Sequence, residues 1–405
     1  MKNLKKLLFI VLTVVLVWGC TFSAYGAEMK SFTENGKILS VAHWGNWTEY
    51  PLGSYEAISS AYDLGADCVS VSLEMTKDFV FVVSQYDDLS HLHSSYNLKI
   101  SDSQYVDIQN LGLPNNSGSI TSTTLCSLSD ALEVTKRYDK ILIIDNAWEH
   151  RNELYTELVN NNALEYAMIR TDASKKEIEE FLSLTDNKVN IIGAYHGNII
   201  FNAKSYVSTL NSLGCKAVML STTNPFGVIF NQSMLSSYSV NNYSTRAMIA
   251  TYDPDLCGQR TDTSSTWNDL IDRGYSIIET NHIRDLTEYL EEIEKTKTEL
   301  QTYMDTIDAM DLSLCSQKSA SDLQEARATA YKELTTLSSL ETLSKAKHNI
   351  TLAFETLSLD DGNYEKRGVL KITTGKIIAV TLVGAGILWA QIFFYKKSGK
   401  KMKKQ

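Results

Sequence analysis

Nine short apolar runs rich in β-branched residues, most of them separated by helical stretches, fill the first two thirds of this 405-residue chain. The last third has no glycine or proline from Tyr275 to Asp361 and ends in an uncharged stretch from Ile377 to Tyr395. Together these patterns predict an α/β chain: a (β/α)8 TIM-type barrel, followed by a small helical bundle and a C-terminal transmembrane helix.

Taken in order, residues 1–26 carry Lys2, Lys5 and Lys6, an apolar run from Leu7 to Val17, and small residues around Ala24 and Gly26. That is the layout of a secretory signal peptide. Cys20 offers a lipidation site as the alternative, against which the bulky Trp18 stands. The strands are expected at Ile38–Ala42, Cys68–Leu73, Val80–Val83, Lys140–Ile144, Ala167–Arg170, Asn190–Ala194, Lys216–Leu220, Arg246–Ala250 and Ser276–Ile278. Nine is one more than the barrel takes. The second and third are joined only by Thr76-Lys77-Asp78, whereas a parallel crossover needs a dozen or more residues, so these two form a hairpin and eight remain for the barrel.

Leu323, Ala326, Ala330, Leu334 and Leu337 recur at helical spacing, as do Leu343, Ala346, Ile350, Ala353, Phe354 and Leu357. Helices over 286–311, 319–337 and 340–358 follow, and residues 291–360 resemble the helical spacer modules of bacterial surface proteins, a stalk. The uncharged stretch 377–395 has the length that crosses a bilayer as a helix. Lys396, Lys397, Lys400, Lys401, Lys403 and Lys404 follow it, and positive residues stay in the cytoplasm. The expected partner is therefore the cell membrane, spanned once, with the barrel outside the cytoplasm and residues 396–405 as a basic cytoplasmic tail.

Without the leader and tail lysines, 29 basic residues face 48 acidic ones, which excludes nucleic acid as a partner. Beyond Cys20 the cysteines are Cys68, Cys126, Cys215, Cys257 and Cys315, an odd number at irregular spacing, which argues against a disulfide framework. No CxxC or HExxH occurs, so no zinc site is read from local sequence.

One stretch carries a likeness to a family. Val41-Ala42-His43-Trp44-Gly45, Pro51-Leu52-Gly53-Ser54, Leu64-Gly65-Ala66-Asp67, the run Cys68–Leu73, and Val82-Val83-Ser84-Gln85-Tyr86 resemble a glycerophosphodiester phosphodiesterase domain in order and spacing. Asp253-Pro254-Asp255, Trp267, Leu270-Ile271-Asp272-Arg273-Gly274 and Ile277-Ile278-Glu279-Thr280-Asn281 are similar to its closing strands, so the resemblance spans residues 38–290. It implies hydrolysis of phosphodiesters by two histidines, acting as general acid and base, with Mg²⁺ or Ca²⁺ polarising the phosphoryl group.

Position by position, this sequence departs from that set. The histidine of the family's His-Arg-Gly motif is His43, but its arginine is Trp44. The glutamate and asparagine after the proline are Leu52 and Gly53, and the Glu-x-Asp of the second strand is Ser70 and Ser72. Two hydroxyls do not replace two anionic ligands of a hard cation. The family's His-Asp after the hairpin is Gln85-Tyr86, its Glu-x-Lys falls on Asp145 and Ala147, and its final aspartate is Asn281.

Only His43 and Asp145 survive, and no metal or other cofactor is expected. The resemblance then implies a catalytically degenerate barrel kept as a binding module for a polyol, sugar or glycerophosphate-containing envelope ligand, with Trp44, Ser70, Ser72, Gln85, Tyr86 and Asp145 at the pocket. The aromatics Trp44, Trp47, Tyr50, Tyr55 and Tyr86 either face such a ligand or fill space left by the metal. The alternative is an active phosphoric diester hydrolase in which Glu49, Glu74, His91, His93 or His196 rescues the chemistry.

Overall fold

The computed structural model describes residues 37–196, 200–215, 217–221, 247–251 and 262–358. The leader 1–26, the span 377–395 and the tail 396–405 lie outside the described residues. Among the described residues no helix is long and apolar enough to cross a membrane. The strands are β1 (Leu39–His43), β2 (Cys68–Met75), β3 (Phe81–Val83), β4 (Gly112–Pro114), β5 (Ile120–Thr124), β6 (Ile141–Asp145), β7 (Ala167–Thr171), β8 (Asn190–His196), β9 (Ala217–Ser221), β10 (Ala247–Thr251) and β11 (Ile277–Thr280).

In the main sheet β1 pairs with both β2 and β11, and the run β2-β6-β7-β8-β9-β10-β11 is parallel throughout. Pairing therefore runs in a closed ring of eight strands. The ninth member, β3, lies antiparallel on β2 with Leu73 opposite Val83, as the short Thr76-Lys77-Asp78 turn requires. Each of the nine expected runs is a strand. Helices α1 (Tyr55–Asp63), α2 (Tyr105–Ile108), α3 (Leu128–Arg137), α4 (Arg151–Asn160), α5 (Lys175–Leu184), α6 (Ile200–Ser212) and α7 (Ser264–Asp272) lie between strands. Their starts are set locally: Ser54 caps α1, and Ser127 with Asp130 and Ser174 with Glu177 form capping boxes on α3 and α5.

The strand alternation explains where the polar site falls. Leu39, Val41, Cys68, Ile141, Ile143, Met168, Ile192, Ala194, Ala217, Met219 and Ile277 form one buried apolar cluster, spaced by two along each strand. Residues two apart share a face. Continuing the same step brings each strand to a different side chain at its C-terminal end: His43 on β1, Ser70 and Ser72 on β2, Asp145 on β6, Arg170 on β7, His196 on β8 and Glu279 on β11. The barrel is thus filled with hydrocarbon below and polar above, at the end where barrels of this type carry their chemistry.

Between β3 and α3 a second, smaller core is built from Val82, Leu89, Ile100, Ile108, Leu113 and Leu125, covered in part by the β4–β5 hairpin. The C-terminal helices α8 (Ile283–Asp308), α9 (Gln317–Thr335) and α10 (Leu340–Glu355) start and end within a few residues of the expected spans. The described residues up to Met310 and from Lys318 to Leu357 form one compact unit. Asp272, at the end of α7, accepts from Ser339 N (2.8 Å), Ser339 Oγ (2.8 Å) and Thr342 Oγ1 (2.8 Å), so the first turn of α10 is fastened to a barrel helix. The described part of the second unit is small: a turn at Leu312–Leu314, and Ser316 N donating to Ser358 O at 2.8 Å.

Candidate functional site

A cavity of about 490 Å³ opens at the C-terminal ends of the strands, with His43, Ser72, Asp145, Arg170, His196 and Glu279 on its wall. Its floor is an ion-pair network. Arg170 Nε and Nη2 donate to Asp145 Oδ1 and Oδ2, both at 2.5 Å, and Nη1 and Nη2 donate to Glu279 Oε2 and Oε1 at 2.8 and 3.2 Å. The Ser70 hydroxyl donates to the same Glu279 Oε1. The side chains of Arg170 and Glu279 are 8% and 6% exposed and that of Asp145 22%, so one guanidinium is forked across two carboxylates out of bulk water.

Burial works against every charge in this group, and the partners decide the outcome. For Arg170 the two carboxylates overcome desolvation and hold the guanidinium firmly protonated. For Glu279 desolvation is outweighed by Arg170, His43 and Ser70, and its pKa falls. For Asp145 desolvation wins over Arg170, with Glu279 adding to the rise, so its pKa goes up. Beside them, half-buried Glu74 is raised to about 7 by desolvation and by Asp87, while Asn146 Nδ2, donating to it at 2.7 Å, opposes the rise.

His43 is held from the far side. Asp262 accepts from Thr280 Oγ1 (2.7 and 2.8 Å), from Asn281 N (2.7 Å) and from Trp267 Nε1 (3.0 Å), which fixes the end of β11. Asn281 Oδ1 then meets His43 Nδ1 at 3.0 Å and accepts from Trp47 Nε1 at 3.3 Å. An amide oxygen only accepts, so Nδ1 is the donor in this arrangement.

Of the residues expected at the pocket, His43, Trp44, Ser72, Gln85 and Asp145 line the cavity. Trp44 does so differently than expected. It is 3% exposed, in a left-handed backbone conformation (φ 63°), with its ring edge against Gly53: a Cβ added there would lie 3.0 Å from Trp44 Cε3 and 2.8 Å from Val83 Cγ1. It packs as core and presents no open aromatic face. Ser70 is fully buried and contributes through Glu279. Tyr86 is not on the cavity wall; it is 39% exposed and stacks on His91 at 4.8 Å.

Of the reserve groups, Glu49 pairs with Arg284 and His93 bonds Ser95, while Tyr55, one of the aromatics, receives Arg137. His196 alone of the reserve histidines reaches the cavity. Trp148, Glu149 and Asp172 also line it and were missed from sequence, as were Arg170 and Glu279.

The metal implied by the family likeness does not fit these residues. Leu52, Ser70 and Ser72 supply no carboxylate, and of the carboxylates on the cavity wall Asp145 and Glu279 are engaged by Arg170. Among the described residues no cluster of three or more His, Cys, Asp or Glu could hold a metal ion.

In fold, the chain is similar to solved structures of glycerophosphodiester phosphodiesterases. One of these, from Parabacteroides distasonis, matches with a TM-score of 0.52 at 17% identity, over 65% of this chain and 91% of that one. Another, a phosphodiesterase of Oleispira antarctica solved with its product sn-glycerol-3-phosphate, matches with a TM-score of 0.50 at 14% identity, over 64% and 98%. At these identities the likeness establishes the fold. No family model matches the sequence, and no curated protein does.

Proposed function

We propose that this chain is a membrane-anchored, extracytoplasmic barrel of glycerophosphodiester phosphodiesterase type, catalytically degenerate, that binds a polyol, sugar or glycerophosphate-containing ligand of the cell envelope. One observation supports this best: the polar groups at the mouth are committed to one another. Arg170 holds Asp145 and Glu279, Ser70 holds Glu279, and no carboxylate stands at 52, 70 or 72. Among the described residues the cavity wall carries Asp145, Glu149, Asp172 and Glu279 against the single guanidinium of Arg170. A wall rich in acceptors suits hydroxyl donors, so polyols and sugars are favoured over a bare phosphate.

The purified chain is expected not to hydrolyse glycerophosphocholine, with or without Mg²⁺ or Ca²⁺. Metal-dependent turnover that disappears in His43→Ala would replace this reading with the second one, an active diester hydrolase. His43 and His196 on one cavity wall are the observation that favours that alternative. Glycerol 3-phosphate, the product held by the Oleispira protein, is the first phosphorylated ligand to titrate beside neutral polyols.

The membrane arrangement rests on the signal-like start and the lysine-rich end. Protease added to cells stripped of their wall should remove the barrel and spare the tail; protection of the whole chain contradicts it.

A further inference from the structure

The departures on β2 and the clamp of Arg170 are adjacent. Ser70 bonds Glu279, and Ser72 is the register partner of Asp145 across the β2–β6 pair, so each serine that stands for a family carboxylate adjoins one arm of the clamp. Four carboxylate oxygens, two from β6 and two from β11, converge on one guanidinium through four N–H contacts of 2.5 to 3.2 Å.

We propose that Arg170 takes the place of the family's divalent ion as a cation carried by the chain itself, and that removing it turns the mouth into a site for Ca²⁺ or Mg²⁺. This deepens the degenerate-barrel reading and rests on it. A positive centre among carboxylates at the end of the barrel is retained, but its source is covalent: it is not chelated away and does not depend on the ion supply. A guanidinium spreads its charge over a fork that matches two carboxylates, whereas a lysine would supply only a point charge. Delete the fork, and four hard carboxylate oxygens face the open cavity, with the Ser70 hydroxyl beside them. That is the beginning of a Ca²⁺ shell of six to eight oxygens, which cavity water completes.

The test is thermal melting of the purified full chain in EDTA and in millimolar Ca²⁺ or Mg²⁺. The parent is expected to melt at one temperature in all three. Arg170→Ala is expected to gain about 4 °C when Ca²⁺ is present at about 100 times its Kd. Should Arg170→Ala be unfolded in EDTA, Ca²⁺ is expected to restore cooperative melting. Arg170→Lys keeps a charge in place and should show no shift. Arg170→Ala combined with Asp145→Asn and Glu279→Gln loses the oxygen charge and should show none either.

The proposal is overturned if Arg170→Ala is indifferent to both ions whether folded or unfolded. It is also overturned if the parent gains as much as the variant, or if the triple variant shifts equally, since the ion then binds elsewhere. These outcomes leave the binding-module reading standing, because that reading fails on parent turnover and not on ion-dependent melting.

Discussion

Arg170→Met is expected to be the most destabilising single substitution at the barrel mouth, costing about 3–5 kcal/mol in urea unfolding at neutral pH. The reason is asymmetric. Arg170 is the sole guanidinium between the largely buried Glu279 and the partly buried Asp145, so its loss leaves two carboxylates facing each other with no cation between them. Glu279→Leu should cost less, about 1–3 kcal/mol, because Arg170 keeps its bidentate pair with Asp145, and only Ser70 Oγ and the Nη1 side of the guanidinium lose their acceptor.

The triple change Asp145→Leu, Arg170→Met and Glu279→Leu should return to within about 1.5 kcal/mol of the parent, since an apolar replacement of a whole buried ion network is often neutral. A cost for Arg170→Met no larger than for Glu279→Leu would show that the network is not what holds the mouth in its present form.

A second large effect concerns repair of the family's chemistry. Reinstating Trp44→Arg, Leu52→Glu, Gly53→Asn, Ser70→Glu, Ser72→Asp, Gln85→His, Tyr86→Asp and Ala147→Lys would return the phosphate clamp, the metal ligands and the second acid. The structure adds two conditions that the sequence did not reveal. Gly53 lies against Trp44 at a left-handed φ of 66°, and a Cβ there would meet Val83 Cγ1 at 2.8 Å and Trp44 Cε3 at 3.0 Å, so Gly53→Asn needs Trp44→Arg beside it and a shift of Val83 as well. Arg170 must also go, because its guanidinium already holds Glu279, against which the new carboxylate of Ser70→Glu would be placed.

The eightfold variant alone should therefore be destabilised and inactive. With Arg170→Ala as a ninth change it should gain ion-dependent stability and turnover of glycerophosphocholine, appearing together because these groups act as a unit. Ion binding by the eightfold variant would show that Arg170 does not sit in the ion's place. A ninefold variant that folds but neither binds ion nor turns over substrate would show that the family positions are misassigned.

The barrel was legible because its strands are buried on both faces and read as continuous apolar runs. The short turn at Thr76-Lys77-Asp78 was enough to tell the hairpin from a crossover. The β4–β5 hairpin was missed because Ile120-Thr121-Ser122-Thr123-Thr124 is largely exposed and has no apolar alternation to read. The docking of α10 was invisible for another reason: its fastening to Asp272 is a polar contact between residues 67 to 70 positions apart.

At the site, losses were readable and gains were not. Comparing family positions shows what has gone from 44, 52, 70, 72 and 85, but it is silent on a group introduced elsewhere. A signal was nevertheless present. Arg170 and Glu279 are opposite charges at the ends of two otherwise apolar runs, Ala167-Met168-Ile169 and Ile277-Ile278, and buried charges of that kind need each other. Of the two readings of the aromatics, the burial of Trp44 against Gly53 goes with the filling of space, while Tyr86 lies against His91 off the cavity wall, and sequence proximity to the mouth does not say which way a ring turns.

Whether Arg170 keeps the mouth free of metal is measured most directly by anomalous diffraction from crystals of the parent chain grown with Mn²⁺, with Ca²⁺ in parallel. The expected result is no anomalous peak among residues 43, 70, 72, 145 and 279, with the Arg170 guanidinium bridging Asp145 and Glu279. A divalent ion coordinated by either carboxylate, with Arg170 turned away, would contradict it and return the barrel to the metal-dependent hydrolases.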